Sequence, residues 1–159
     1  MQPPNKKIPF TPEKYREMQQ KVTDLEALRE VVMERLVTAR EMGDLSENGA
    51  YKYAKFELGD IGRQLKRFKG LLAEGFPAPK HTGPNGSADF GSIVTIEKCD
   101  ASKKQLTFTI VSKHESDPVQ KKLAYSSPMG KAVMRRNVGD SLTVTTPNGK
   151  VAYTLIEIK

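Results

Sequence analysis

Two hydrophobic periods divide this chain. From Tyr15 onward, Tyr15, Met18, Val22, Leu25, Val32, Leu36 and Ala39 follow alternating steps of three and four, interrupted at Arg29, with Leu28 beside the break to fill the seam. The spacing returns, uninterrupted, at Tyr51, Ala54, Leu58, Ile61, Leu65, Phe68 and Leu72. Both stripes are narrow, as in a coiled-coil seam rather than a broad globular face. They predict two long helices, antiparallel across a short turn. Thr11-Pro12-Glu13 marks the first start, with Thr as N-cap and Pro at the first helical position. Gly75-Phe76-Pro77 ends the second. An arm of about 27 residues spans about 40 Å. Gly59 and Gly62 sit inside it, each costing about 1 kcal/mol relative to Ala, so they either admit a close partner or are tolerated.

Between the stripes lies Gly43-Asp44-Leu45-Ser46-Glu47-Asn48-Gly49-Ala50-Tyr51, with helix-breaking and capping residues and two carboxylates three residues apart. Gly43 can take a positive φ, and Asp44, Ser46 and Asn48 can accept backbone N–H bonds, so the stretch predicts a hairpin tip. Asp44 or Ser46 is the candidate N-cap, which would put Glu47 in or beside the first turn. On these residues alone the acids are either helix caps that offset the dipole or ligands held out for something else.

Residues 77–89 lose periodicity and are rich in Pro, Gly and small polar side chains, the composition of a linker. Beyond them the period becomes two. Phe90 to Glu97 and the stretch through Leu106, Phe108 and Ile110 predict strands around a turn at Asp100–Lys103, and Lys121 to Tyr125 is a shorter candidate. Ser127-Pro128 opens a short helix, and Val138-Gly139-Asp140 is a turn. Leu142 to Thr146 and Val151 to Ile158 are joined across Pro147-Asn148-Gly149-Lys150, where Asn-Gly suggests a type I′ hairpin. The chain thus reads as α+β: a helical hairpin over 1–76, a linker over 77–89, and a small antiparallel β domain with one short helix over 90–159.

Composition narrows the classes. The 159 residues are 37% hydrophobic and 28% charged, with no apolar run near the roughly 18 residues of a membrane span. No signal-peptide core precedes Phe10, which points away from secretion. Cys99 is the sole cysteine, so no intrachain disulfide forms, consistent with a cytoplasmic protein; its pattern predicts a buried or half-buried strand position. His81 and His114 fall in predicted loops and are expected to be solvated. The second domain has no Gly-rich phosphate loop, metal-ligand cluster or nucleophile–His pair. The net charge of +7 points to a polyanionic partner. Lys52, Lys55, Arg63 and Lys66, with Arg40 near the tip, form either a solvated face or a track for a nucleic-acid backbone.

Two ordered blocks carry a family resemblance from about Ile8 to the C-terminus. Gly43-Asp44-Leu45-Ser46-Glu47-Asn48 with Tyr51 resembles the tip motif of the bacterial Gre-family transcript cleavage factors. Ser127-Pro128-Met129, then Val138-Gly139-Asp140, then Thr146-Pro147 with Gly149 resembles that family's C-terminal series. Tyr51-Lys52-Tyr53, Lys55 and the basic balance lean toward its B-type branch.

The resemblance implies an N-terminal antiparallel coiled coil and an FKBP-like C-terminal domain, in a monomeric elongation factor. That domain would dock on the rim of RNA polymerase's secondary channel while the coiled coil enters it. Asp44 and Glu47 would help position a second Mg²⁺ in the polymerase active centre, with no cofactor held stably by the chain itself. The polymerase's own activity would then cut backtracked RNA near its 3′ end, making the chain an accessory factor rather than an enzyme. Arg40, Lys52 and Lys55 map to the RNA-contacting basic patch, and Ser126, Ser127 and Pro128 to the docking loop. Gly49, Ala50, Ala124 and Ser126 depart from the usual family residues. The alternatives are a channel-occupying inhibitor, a prolyl isomerase and a general RNA-binding hairpin.

Overall fold

The computed structural model describes residues 7–44, 46–80 and 82–159; Leu45 of the tip and His81 lie outside the described residues. Two compact units form, one from Tyr15–Gly75 with Lys7, the other from Ile8–Lys14 with Phe76–Lys159.

The first unit is the expected hairpin. Helix α1 covers Pro12–Glu41 and α2 covers Gly49–Glu74. Met18, Leu25, Val32 and Ala39 are buried along α1, one every seven residues, as a seam requires. Leu25 and Val32 pack with Ala54, Ile61 and Leu65 of α2, flanked by Val22, Leu36, Leu58 and Phe68. Leu28 does not fill the break at Arg29, being 39% exposed, because it falls one position beside the seam. Two ion pairs cross between the arms, Arg35 to Glu57 at 3.2 Å and Lys69 to Glu26 at 2.5 Å, as the antiparallel direction allows. Both are exposed and add little stability. The buried seam dominates.

In the second unit, β1 (Ile8–Phe10) pairs with β2 (Gly75–Pro77). A separate five-stranded sheet contains β3 (Ile93–Lys98), β4 (Gln105–Val111), β5 (Lys122–Ala124), β6 (Ser141–Thr146) and β7 (Gly149–Ile158), in the order β5-β4-β3-β7-β6. Helix α3, Pro128–Val133, contributes Val133 to a core with Val94, Ile96, Phe108, Ile110, Val144 and Leu155. The sheet is mixed rather than wholly antiparallel. Thr109–Val111 runs parallel to Lys122–Ala124, because the chain crosses over through residues 112–121 before pairing again.

Three local expectations change. The first long strand begins at Ile93, not Phe90. The β6–β7 turn is not type I′: Thr146 pairs with Gly149, so Pro147 and Asn148 are the central residues, and of the turn only Gly149 has positive φ, 114°. Proline's ring fixes a negative φ, which excludes that turn type. Cys99 is exposed just beyond β3, its Sγ 3.2 Å from the Thr154 hydroxyl. Within 77–89, Gly83, Ser87 and Ala88 are buried, and Ala88 exchanges backbone bonds with Arg135 and Arg136, so that part packs into the second unit.

Candidate functional site

The tip is built by residues that end one helix and start the next. Met42 N–H still donates to the Ala39 carbonyl at 3.2 Å, and Gly43 then turns the chain at φ 122°, where an L side chain is strained. Asp44 follows, and its Oδ1 accepts from both the Ser46 N–H and the Ser46 hydroxyl at 2.9 Å. These bonds hold the Asp44 carboxyl below its ordinary value of 3.8, the backbone bond foremost.

The N-cap of α2 is Asn48, not Asp44 or Ser46. Its Oδ1 accepts from the Tyr51 N–H at 3.1 Å, and its Nδ2 donates to the Ala39 carbonyl at 2.6 Å. One side chain therefore satisfies an orphan donor of α2 and adds a second bond to the α1 carbonyl that Met42 N–H also reaches, tying the arms across the tip. Neither carboxylate caps α2. Asp44 organises its own turn, while Glu47 precedes the helix, is exposed, and has no hydrogen bond or ion pair among the described residues. Helix α2 starts at Gly49, with no acid in its first turn.

Arg40 lies in the last turn of α1, Lys52 and Lys55 in the first two turns of α2. All three are exposed and none has an ion-pair partner among the described residues. Arg63 differs, being paired with Asp60 at 3.2 Å. Thus the free cations concentrate at the tip end of α2 and resume at Lys66. Sequence periodicity passed over the apolar residues here. Met42, Tyr53 and Phe56 are 73%, 65% and 70% exposed. The available signal was that Tyr53 and Phe56 are aromatic yet off the seam register.

In the second unit, Ser126, Ser127 and Pro128 precede and open α3. The Ser127 hydroxyl accepts from the Gly130 N–H at 3.0 Å and donates to the Ala124 carbonyl at 2.7 Å, so it shapes the turn. Ser126 and Pro128 are the exposed members. Phe90, Phe108 and Tyr153 are buried in packing, and a cavity of about 300 Å³ in this unit has Thr11, Pro79, Gly91, Ile93 and Thr109 among its lining and no aromatic. That leaves little basis for an aromatic proline pocket. One buried polar residue gave no sequence signal: Glu115 accepts from the Thr11 N–H at 2.9 Å and from its hydroxyl at 2.5 Å. His114 is exposed as expected, its ring centroid 6.1 Å from that of Phe10.

Known proteins share both halves. Residues 8–74 match the family described as transcription elongation factor, N-terminal, and residues 83–159 match transcription elongation factor, GreA/GreB, C-term. A Rickettsia canadensis protein named transcription elongation factor GreA is 32% identical over 158 residues, covering 98% of this chain and 96% of its own. The GreA of Thermotoga neapolitana is 32% identical over 154 residues, covering 96% and 97%. Among solved structures, the GreA factor homolog 1 (Gfh1) protein of Thermus thermophilus is 24% identical over 97% of this chain and 99% of its own, with a TM-score of 0.43.

Proposed function

Because the chain belongs to the GreA/GreB family of transcription elongation factors, we propose that it binds RNA polymerase and stimulates the polymerase's own cleavage of backtracked RNA. The observation that carries this reading is a tip whose two carboxylates are exposed and do not cap α2, since Asn48 caps the helix and ties the arms. The bonds from Ser46 lower the Asp44 pKa and orient its carboxylate, and Glu47 faces solvent without a partner among the described residues.

These residues fit a shared Mg²⁺. The donors are all oxygen, as that ion prefers, yet two carboxylates supply a minority of its octahedral shell, so the polymerase would provide the rest. No group of three or more His, Cys, Asp or Glu able to hold a metal occurs among the described residues. When bound, the ion supplies charge stabilisation and an acidified water for attack on the phosphodiester. This chain's part is to carry the acids on a helical arm of 26 residues, about 39 Å at 1.5 Å per residue, into a centre its β unit does not enter. Arg40, Lys52 and Lys55 would meet the RNA phosphates. Ser126 and Pro128 would make the docking contact at the secondary-channel rim, with Ser127 holding the turn in shape. In this role the chain is an accessory factor.

A stalled, backtracked elongation complex from the cognate polymerase tests the reading. Wild type is expected to shorten the RNA from its 3′ end. Asp44→Asn and Glu47→Gln should each lower that rate by about two orders of magnitude while binding is retained. Equal shortening by both variants would remove the tip assignment. Slowed elongation without shortening would favour the channel-occupying inhibitor. Fragment lengths from the same gel test the B-type leaning.

A further inference from the structure

The first two turns of α2 carry a pattern that the seam does not use. Seam packing takes Ala54, yet Tyr53 and Phe56 stand in water at 65% and 70% exposure, with Lys52 and Lys55 interleaved. Residues three apart are neighbours on a helix, so both rings leave the same side of α2. Burying such a ring is worth about 1.5–3 kcal/mol, and this hairpin forgoes it twice within one turn. Beside Tyr53, Val31, Met42, Ala50 and Ala54 help line a mostly apolar groove of about 460 Å³ between the arms, with Glu34, Arg35 and Thr38 as its polar members, able to meet the polar edge of a base. From Asn48 to Phe56 there are two lysines and no acid. The charge of Glu57 just beyond is matched by Arg35 at 3.2 Å.

We propose that Tyr53 and Phe56 are stacking surfaces for unpaired RNA bases, with the groove beside Tyr53 receiving one base and Lys52 and Lys55 meeting the adjoining phosphates. The proposal rests on the cleavage reading above and names how the RNA is held at the same tip. Aromatic faces interleaved with cations are the chemistry of single-stranded nucleic-acid binding, because every base offers a π-face and every linkage a negative charge. A purely apolar protein partner would fill the groove but leave both lysines unmatched. Tyr53 and Phe56 lie four and seven residues into α2, within about 11 Å of its start along the axis. Bases stacked there would sit close to the carboxylates, restraining the strand at the point of cutting. Such restraint is positioning, and Tyr53 and Phe56 are positioning residues.

The test uses a backtracked elongation complex with 4-thiouridine in the backtracked RNA segment, incubated with full-length protein and irradiated. Adducts are expected at Tyr53 or Phe56. In the Tyr53→Leu/Phe56→Leu variant they should vanish, and the concentration for half-maximal shortening should rise about tenfold. Tyr53→Trp/Phe56→Trp should stay within about threefold of wild type, since indole also stacks. Both side chains are exposed, so the melting temperature of the Leu variant should match wild type. Adducts confined to other residues, or full activity in the Leu variant while Asp44→Asn is inactive, would overturn the stacking proposal and leave the cleavage reading intact. A Leu variant that binds backtracked and non-backtracked complexes equally poorly would overturn it too, in favour of a protein side chain in the groove. Adducts at Tyr53 or Phe56 without any shortening would overturn the cleavage reading alone.

Discussion

At the tip, Ser46 sets how readily Asp44 gives up its proton, by placing an N–H and a hydroxyl on one carboxylate oxygen. Both bonds favour the ionised form, so the folded-state value lies below 3.8. A depressed folded value means the turn's contribution is fully present above 3.8 and is lost as pH falls through that lower value. A carboxyl-detected NMR titration should therefore place the Asp44 midpoint below 3.8, and Ser46→Ala should move it back toward 3.8. A wild-type midpoint at or above 3.8 would contradict the bonding. Near neutral pH neither protein should show a cleavage change traceable to Asp44 protonation. Asn48 offers a second check. Asn48→Ala removes the bond to Tyr51 N–H and the bond to the Ala39 carbonyl, and should cost about 1–2 kcal/mol in thermal unfolding. Asn48→Asp keeps an acceptor for Tyr51 and loses only the donor. Protection of the Tyr51 amide from exchange should fall in the Ala variant and persist in the Asp variant.

Among the elements, two glycines in helices are expected to respond oppositely to the same change. A Cβ at Gly62 of α2 meets nothing within 4 Å, so Gly62→Ala should stabilise the hairpin by up to about 1 kcal/mol through helix propensity. A Cβ at Gly130 of α3 would run into the Ala124 carbonyl and the Tyr125 backbone, so Gly130→Ala should cost about 1–3 kcal/mol. Thermal denaturation followed at each unit's own signals separates the two. The contrast also shows what sequence could convey. Both glycines break the same local rule, and only tertiary contacts tell them apart. The seam of each arm was legible because a seven-residue repeat needs no distant information. The caps at Thr11 and Ser127 were legible for the same local reason. Asn48 was not, since Asp44, Ser46 and Asn48 are all capping types and the choice depends on where the chain leaves Gly43. The parallel β4–β5 pair was hidden by a strand of three residues, too short to reveal its direction. The Pro147-Asn148 turn departs from the Asn-Gly expectation because proline fixes a negative φ at its first central position. Of the candidate site, the carboxylates and cations were visible as residue types. That Asn48 rather than either carboxylate caps α2, and that Tyr53 and Phe56 stand exposed, required the fold.

For the whole molecule, charge is divided unevenly between the units. Residues 15–75 hold eleven bases and eleven acids, while residues 76–159 hold twelve bases and seven acids. A balanced hairpin does not by itself repel or attract a polyanion; under the proposed function that falls to the local pattern at the tip. An excess of this kind in the β unit can act at longer range, as steering toward a negatively charged surface. Lys121 and Lys131 flank Ser126, Ser127 and Pro128 in sequence, are exposed, and have no ion-pair partner among the described residues. If docking uses that turn, these lysines should accelerate encounter more than they hold the complex, because exposed charges act mainly on association. The association rate with cognate polymerase, measured by stopped-flow fluorescence, should fall steeply between low and physiological salt as the Debye length shortens from about 30 to about 8 Å. Lys121→Gln/Lys131→Gln should lower that rate severalfold at low salt, leave dissociation nearly unchanged, and flatten the salt dependence. Asp44→Asn should leave all three alone, since its charge belongs to the tip. A lysine variant with wild-type association and faster dissociation would place these groups inside the contact rather than around it. Wild-type behaviour in every respect would move the docking surface away from the Ser126–Pro128 turn.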